Sequence, residues 1–83
     1  MANILIACEE SQAVCKAFRE RGHNAFSCDI VECSGGHPEW HFMEDVLKVI
    51  PNRGGHLENG SLYYLPEGET WDLMIAHPPC TYL

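Results

Sequence analysis

The stretch Asn3-Ile4-Leu5-Ile6-Ala7-Cys8 decides the fold of this chain. A short, uninterrupted apolar run is typical of a strand that is buried on both faces, as in a parallel sheet. Residues 12–21 predict a helix, because Val14 and Phe18 lie one helical turn apart. A second strand is predicted over residues 24–28. Strand, helix and strand in this order predict a βαβ unit with parallel strands.

The rest of the chain gives weaker patterns. A loop over 32–40 leads to a brief strand over 41–43 and a helix over 46–50 that Pro51 ends. Three glycines and no apolar periodicity make residues 52–60 a mobile connection, followed by an edge strand over 62–65 and a last strand over 71–76. We therefore expect one domain over residues 1–83, of the α/β class, with three or four mostly parallel strands and one main helix.

Composition excludes several functions. Twelve acidic against five basic residues give a formal net charge of −7, whereas a free-standing nucleic-acid binder normally carries a basic face. No stretch resembles a membrane span or a signal peptide. Five cysteines without a signal sequence favour free thiols in a reducing cytoplasm. The expected location is therefore the cytoplasm, with no membrane partner.

The sequence His77-Pro78-Pro79-Cys80 follows the apolar run at 73–76. We expect a core strand that the two prolines end, because each proline fixes φ and lacks a backbone N–H. The Cys80 thiol would then stand at the carboxyl end of a strand, where open α/β sheets bind ligands. The alternative is a simple turn with a half-buried cysteine.

Two acidic residues follow predicted strands. Asp29 ends the second strand, where an acid in a nucleotide-binding βαβ unit accepts hydrogen bonds from ribose hydroxyls. Its alternative is a polar strand end that faces water. Asp45 could accept from an adenine amino group or could instead be a helix N-cap. Ser11 offers an N-cap hydroxyl to the first helix.

A set of four side chains could close a zinc site: Cys28, Cys33, His37 and His41. Their spacing matches no common short-paired zinc pattern, so we expect no metal. Four aromatic residues are more simply explained by packing than by base stacking: Trp40, Tyr63, Tyr64 and Trp71. Cys8 and Cys15 are more simply explained as small buried hydrophobic residues than as reactive thiols.

Taken in order, the first strand and its loop, Asp29, Asp45 and Pro78-Pro79-Cys80 resemble the N-terminal half of S-adenosylmethionine-dependent DNA cytosine-C5 methyltransferases and their phage-type relatives. The resemblance covers nearly the whole chain. It implies Asp29 as the ribose ligand, Ile30 as an adenine-packing residue, Asp45 as the adenine-amino partner and Ser11 as a further cofactor contact. It also implies Cys80 as the nucleophile that attacks cytosine C6.

The chain departs from this family in its first loop. That loop is usually rich in glycine, whereas residues 8–12 here contain two carboxylates and no glycine. The resemblance further places the family's assisting glutamate and its target-recognition region beyond Leu83, so we expect the isolated chain to be inactive on DNA. The alternative is a small acidic binding protein or inhibitor that docks on a basic nucleic-acid-binding protein. A sheet without its family neighbours would also favour a homodimer.

Overall fold

The computed structural model describes residues 1–77, so Pro78, Pro79 and Cys80 lie outside the described residues. The elements of residues 1–77 are β1 (Asn3–Ala7), α1 (Ala13–Glu20), β2 (Asn24–Cys28), a 3-10 helix (Pro38–Trp40), β3 (His41–Phe42), α2 (Val46–Asn52), β4 (Gly54–His56), β5 (Leu62–Tyr64) and β6 (Leu73–Ala76).

The central sheet has four strands in the order β3-β2-β1-β6. All three strand pairs are parallel, and β1 pairs with β2 from Asn3↔Asn24 to Ala7↔Cys28. Every residue of β1 is buried, as the unbroken apolar run predicts. The predicted α/β class and parallel βαβ unit are therefore confirmed.

The two faces of this sheet carry separate cores because side chains alternate along each strand. On one face Ile4, Ile6 and Ala25 pack against Cys15 of α1. On the other face Leu5 and its neighbours pack against α2 and the β4–β5 hairpin, through Phe26, Phe42, Val49, Leu57, Tyr63 and Trp71. Packing as the main role of Tyr63, Trp71 and Cys15 is thus confirmed.

Helix α2 corrects one predicted boundary. The helix runs past Pro51 to Asn52, whereas Pro51 was expected to end it. Proline in the final turn removes only a late intrahelical hydrogen bond, and the helix ends at Arg53 with φ of 58°. Neither helix of residues 1–77 is long and apolar enough to cross a membrane.

The segment expected to be a mobile connection contains a strand instead. Strand β4 pairs with β5 in an antiparallel hairpin, with Gly54 opposite Tyr64 and His56 opposite Leu62. A side chain at Gly54, where φ is 150°, would overlap the backbone oxygen of Tyr63. The glycine therefore permits close approach of the two chains, and this backbone contact leaves no alternating apolar pattern in the sequence.

Strand β6 is an edge strand among the described residues, and its apolar side chains are only partly covered. Leu73 is 45% exposed and Met74 is 47% exposed. The prediction that this run lies in the core is therefore wrong, since Ala76 is exposed as well and Ile75 is only half-buried. The cause is position: β6 pairs with β1 on one side and with no other strand of residues 1–77.

Candidate functional site

The strand order reverses at β1. From β1 the chain continues to β2 and β3 on one side of the sheet, and it later returns to place β6 on the other side. The loops after these strands meet at the carboxyl edge: the amide of Cys8 donates to the Cys28 carbonyl at 2.7 Å, and the amide of His77 donates to the Ala7 carbonyl at 3.1 Å. Ligands of open α/β sheets bind at such a reversal.

A cavity of about 350 Å³ opens at this point. Its wall contains the predicted Ser11, together with Cys8 and Glu9 of the same loop and His77 at the end of β6. The volume lies at the small end of the range for small-molecule sites. The structure therefore brings Ser11 into a cavity, whereas Asp29, Ile30 and Asp45 are not in its wall.

Glu9 connects this loop to the start of α1 by hydrogen bonds. The residue is only 5% exposed, and its carboxylate accepts hydrogen bonds from the amides of Val14 at 2.7 Å and Cys15 at 3.1 Å. These are amides of the first turn of α1, which otherwise lack intrahelical partners. Glu9 Oε1 also lies 3.8 Å from His77 Nε2. Glu9 thus caps α1, and its carboxylate also forms part of the cavity wall.

The expected N-cap role of Ser11 is wrong. The N-cap residue is Gln12, and the Ser11 hydroxyl reaches only the amide of Ala13, at 3.5 Å. The reason is the loop path, since Gln12 has φ of 62° and Cys8 has φ of 60°. The two ends of loop 8–12 are therefore left-handed, a conformation that glycine adopts without strain and that costs other residues about 1–2 kcal/mol.

Gln12 is fully buried and holds a distant loop against α1. Its Nε2 donates to Ser27 Oγ at 3.1 Å and to the His37 carbonyl at 2.8 Å, and its Oε1 accepts from the His37 amide at 3.1 Å. Gly35 sits so close that a methyl group there would overlap the Ser11 backbone oxygen. Sequence reasoning missed this role, because a glutamine at a helix start carries no signal of burial.

Asp29 lies at the carboxyl end of β2, as predicted. Its Oδ1 accepts from the amides of Ile30 at 2.7 Å and Val31 at 3.3 Å, which orients the carboxylate. No hydrogen bond to Oδ2 is formed by the part of the chain that the structure describes. Ile30 is 74% exposed, so its side chain is available to a ligand on this edge.

Asp45 caps α2: its Oδ1 accepts from the Leu47 amide at 2.9 Å. The N-cap alternative is therefore confirmed, and the adenine contact stays a prediction. The prediction for Cys80 falls outside the described residues.

The thiols of residues 1–77 differ sharply in environment. Burial raises the pKa of Cys15 to about 11 and that of Cys28 to about 12, so both thiols stay protonated near neutral pH. Cys8 is exposed, which contradicts its expected burial, because the left-handed turn carries it out of the sheet.

Three of the four side chains considered for zinc have other partners. Cys28 Sγ donates to the Glu44 carbonyl, His41 lies between Ser27 Oγ and the Val31 carbonyl, and His37 stacks on Trp40 at 3.8 Å. Within residues 1–77, no group of three or more His, Cys, Asp or Glu side chains is arranged to hold a metal ion.

Comparison of the chain with protein-family models, with curated proteins and with solved structures gave no match.

Proposed function

We propose that this chain is the cofactor-binding half of a DNA cytosine methyltransferase-like protein, with a half-Rossmann sheet that binds S-adenosylmethionine. The observation that carries the proposal is the reversal of strand order at β1, with a cavity walled by Cys8, Glu9, Ser11 and His77 at the carboxyl edge. Asp29 and Ile30 follow the neighbouring strand on the same edge. An adenosine there would meet a carboxylate for its ribose and an apolar side chain for its base.

The charge of the first loop favours a cationic ligand over a phosphate. Glu9 already accepts from the α1 amides that a phosphate would use, and Glu10 adds a second carboxylate to the cavity wall. S-adenosylmethionine carries a sulfonium and an ammonium group, which suit an acidic wall. When bound, the cofactor supplies a methyl group, and Cys80 would be the nucleophile toward cytosine once the DNA-binding parts of the family are present.

Titration with S-adenosylhomocysteine tests the proposal. Asp29→Ala is expected to weaken binding about tenfold, roughly the 1.4 kcal/mol that hydrogen bonds from a ribose to a charged acceptor contribute. Glu32→Ala is the matched control, because it removes the same charge from the neighbouring exposed loop and should leave the affinity within a factor of two. Isothermal calorimetry measures both. Equal affinity in Asp29→Ala and wild type, or no binding to the wild type, contradicts the proposal.

One observation favours self-association as a second role. Strand β6 presents a free backbone edge within residues 1–77, and Leu73 and Met74 are half exposed on it. Pairing of β6 with β6 of a second copy would continue the sheet and cover these side chains.

Light scattering at micromolar concentration should therefore report two chains per particle. Met74→Lys should shift the mass to that of one chain, because a charge on an edge strand opposes pairing. Lys48→Met, which changes a lysine on α2, should leave the dimer intact. A monomeric wild type would contradict this role.

A further inference from the structure

A second groove lies away from the carboxyl edge, between α1 and the residues that precede β2 and β3. Its volume is about 480 Å³, and its wall contains Lys16 and Arg19 of α1, His23 before β2, and Trp40 before β3. Glu20 is the one acidic residue among the described side chains of this wall. Two of the chain's five Lys and Arg residues therefore face one groove in a protein of net charge −7.

Arg19 is held in place before any ligand arrives. Its guanidinium carbon lies 4.3 Å from the Trp40 ring centroid and 4.9 Å from that of Phe26. Its Nε donates to the Ala25 carbonyl at 2.6 Å. A guanidinium fixed in this way loses little further side-chain entropy on binding a ligand.

His23 adds an oriented donor. Its Nδ1 accepts from the Ala2 amide at 3.0 Å, so in the neutral ring the proton is on Nε2. His37 is stacked on Trp40, and its Nδ1 is paired with Glu39 at 2.9 Å. The hydrogen bond from His37 lowers the pKa of the Glu39 carboxyl. The Glu39 carboxylate is therefore hydrogen-bonded to His37.

Neither permanent cation of the groove forms an ion pair within residues 1–77, and Glu39 acts on Arg19 only through its charge at longer range. Each ion pair found in residues 1–77 involves a histidine, and neither Lys16 nor Arg19 belongs to one. In a chain rich in carboxylates, nearby acids would ordinarily pair with such cations. Their convergence with the His23 donor on a single groove is the arrangement that binds an oxyanion.

We propose that this groove binds an organic phosphate monoester, with its phosphate on Arg19, Lys16 and His23 and its apolar part against the edge of the Trp40 ring, whose two faces are covered by Arg19 and His37. A dianionic phosphate matches two cations and one neutral donor better than a carboxylate does. The edge of the indole ring and the Arg19 stem provide apolar surface beside the charges. This site is separate from the proposed cofactor cavity and does not depend on it.

Phenyl phosphate is the probe. Its binding is measured by the chemical-shift changes of amide and indole N–H groups in nuclear magnetic resonance spectra at low salt. We expect saturable shifts at Gly22, His23 and the Trp40 indole. Lys16→Gln should weaken binding about fivefold and Glu20→Gln should strengthen it about twofold, through one charge–charge contact each near the surface. Lys48→Gln removes the same charge outside the groove and should leave the affinity unchanged. Arg19→Lys should weaken binding about tenfold because the bidentate donor is lost.

Parallel titrations with phenol and with inorganic phosphate separate the two parts of the ligand. Both should bind at least fivefold more weakly than phenyl phosphate. Binding of phenol as tight as that of phenyl phosphate would overturn the oxyanion site, and equal binding of inorganic phosphate would overturn the organic part. No saturable shift with phenyl phosphate, or equal losses in Lys16→Gln and Lys48→Gln, would overturn the proposal as a whole. Since Lys16→Gln and Lys48→Gln alter only the ends of surface side chains, both variants should keep the melting temperature of the wild type.

Discussion

Gln12→Ala is expected to lower the free energy of unfolding by about 3 kcal/mol, as the loss of a buried hydrogen-bonded side chain typically does. The variant removes the Gln12 amide, which donates to Ser27 Oγ and the His37 carbonyl and accepts from the His37 amide. Ser27 is fully buried and the backbone groups of His37 are partly buried, so water would replace these hydrogen bonds poorly. The loop at 33–37 would also lose its tie to α1, so His37 and Trp40 should become more mobile.

Urea denaturation followed by circular dichroism measures this loss. Ser11→Ala is the matched control, because it changes the adjacent exposed residue and removes only the 3.5 Å contact to the Ala13 amide. Its effect should stay within about 0.5 kcal/mol, as for most surface substitutions. Gly35→Ala should reproduce the Gln12→Ala defect in part, since its methyl group would push the same loop away from Ser11. We call the hydrogen bonds between the Gln12 side chain and the His37 backbone the Gln12–His37 clamp. If Gln12→Ala lowers the free energy of unfolding no more than Ser11→Ala does, this clamp contributes nothing to stability.

Glu9→Ala is expected to lower the free energy of unfolding by about 2–3 kcal/mol, because two amides lose a charged acceptor. The Val14 and Cys15 amides at the start of α1 would be left without this partner, and that of Cys15 is buried. The negative charge near the positive end of the helix dipole would be lost as well. Glu9→Gln keeps one side-chain oxygen and should cost about half as much.

Glu10→Ala is the control for Glu9→Ala. It removes the same charge from the neighbouring residue, which is exposed, so the change in unfolding free energy should be about 0.5 kcal/mol or less. Hydrogen exchange at the Val14 and Cys15 amides should accelerate in Glu9→Ala and not in Glu10→Ala. Equal stability of the two variants would contradict the capping role of Glu9.

The local sequence pattern was sufficient to predict the elements whose burial depends on neighbouring residues in the sequence. The bounds of β2, the burial of β1 and the position of Asp29 at a strand end were all predictable, because a strand buried on both faces is largely apolar. The helix over residues 12–21 was found to within one residue at each end. The hairpin of β4 and β5 was not predictable as a pair, since its contacts are between backbones at glycines.

The sequence by itself determined the parallel βαβ unit, the α/β class and the acidic character of the first loop, because these depend on neighbouring residues and on composition. Only the tertiary structure decided which polar residues are buried. The Gln12–His37 clamp joins residues 25 positions apart, and Glu9 reaches His77 across two neighbouring strands. Those contacts depend on which strands become neighbours. Strand order is set by packing of both sheet faces at once, and no local pattern contains that information.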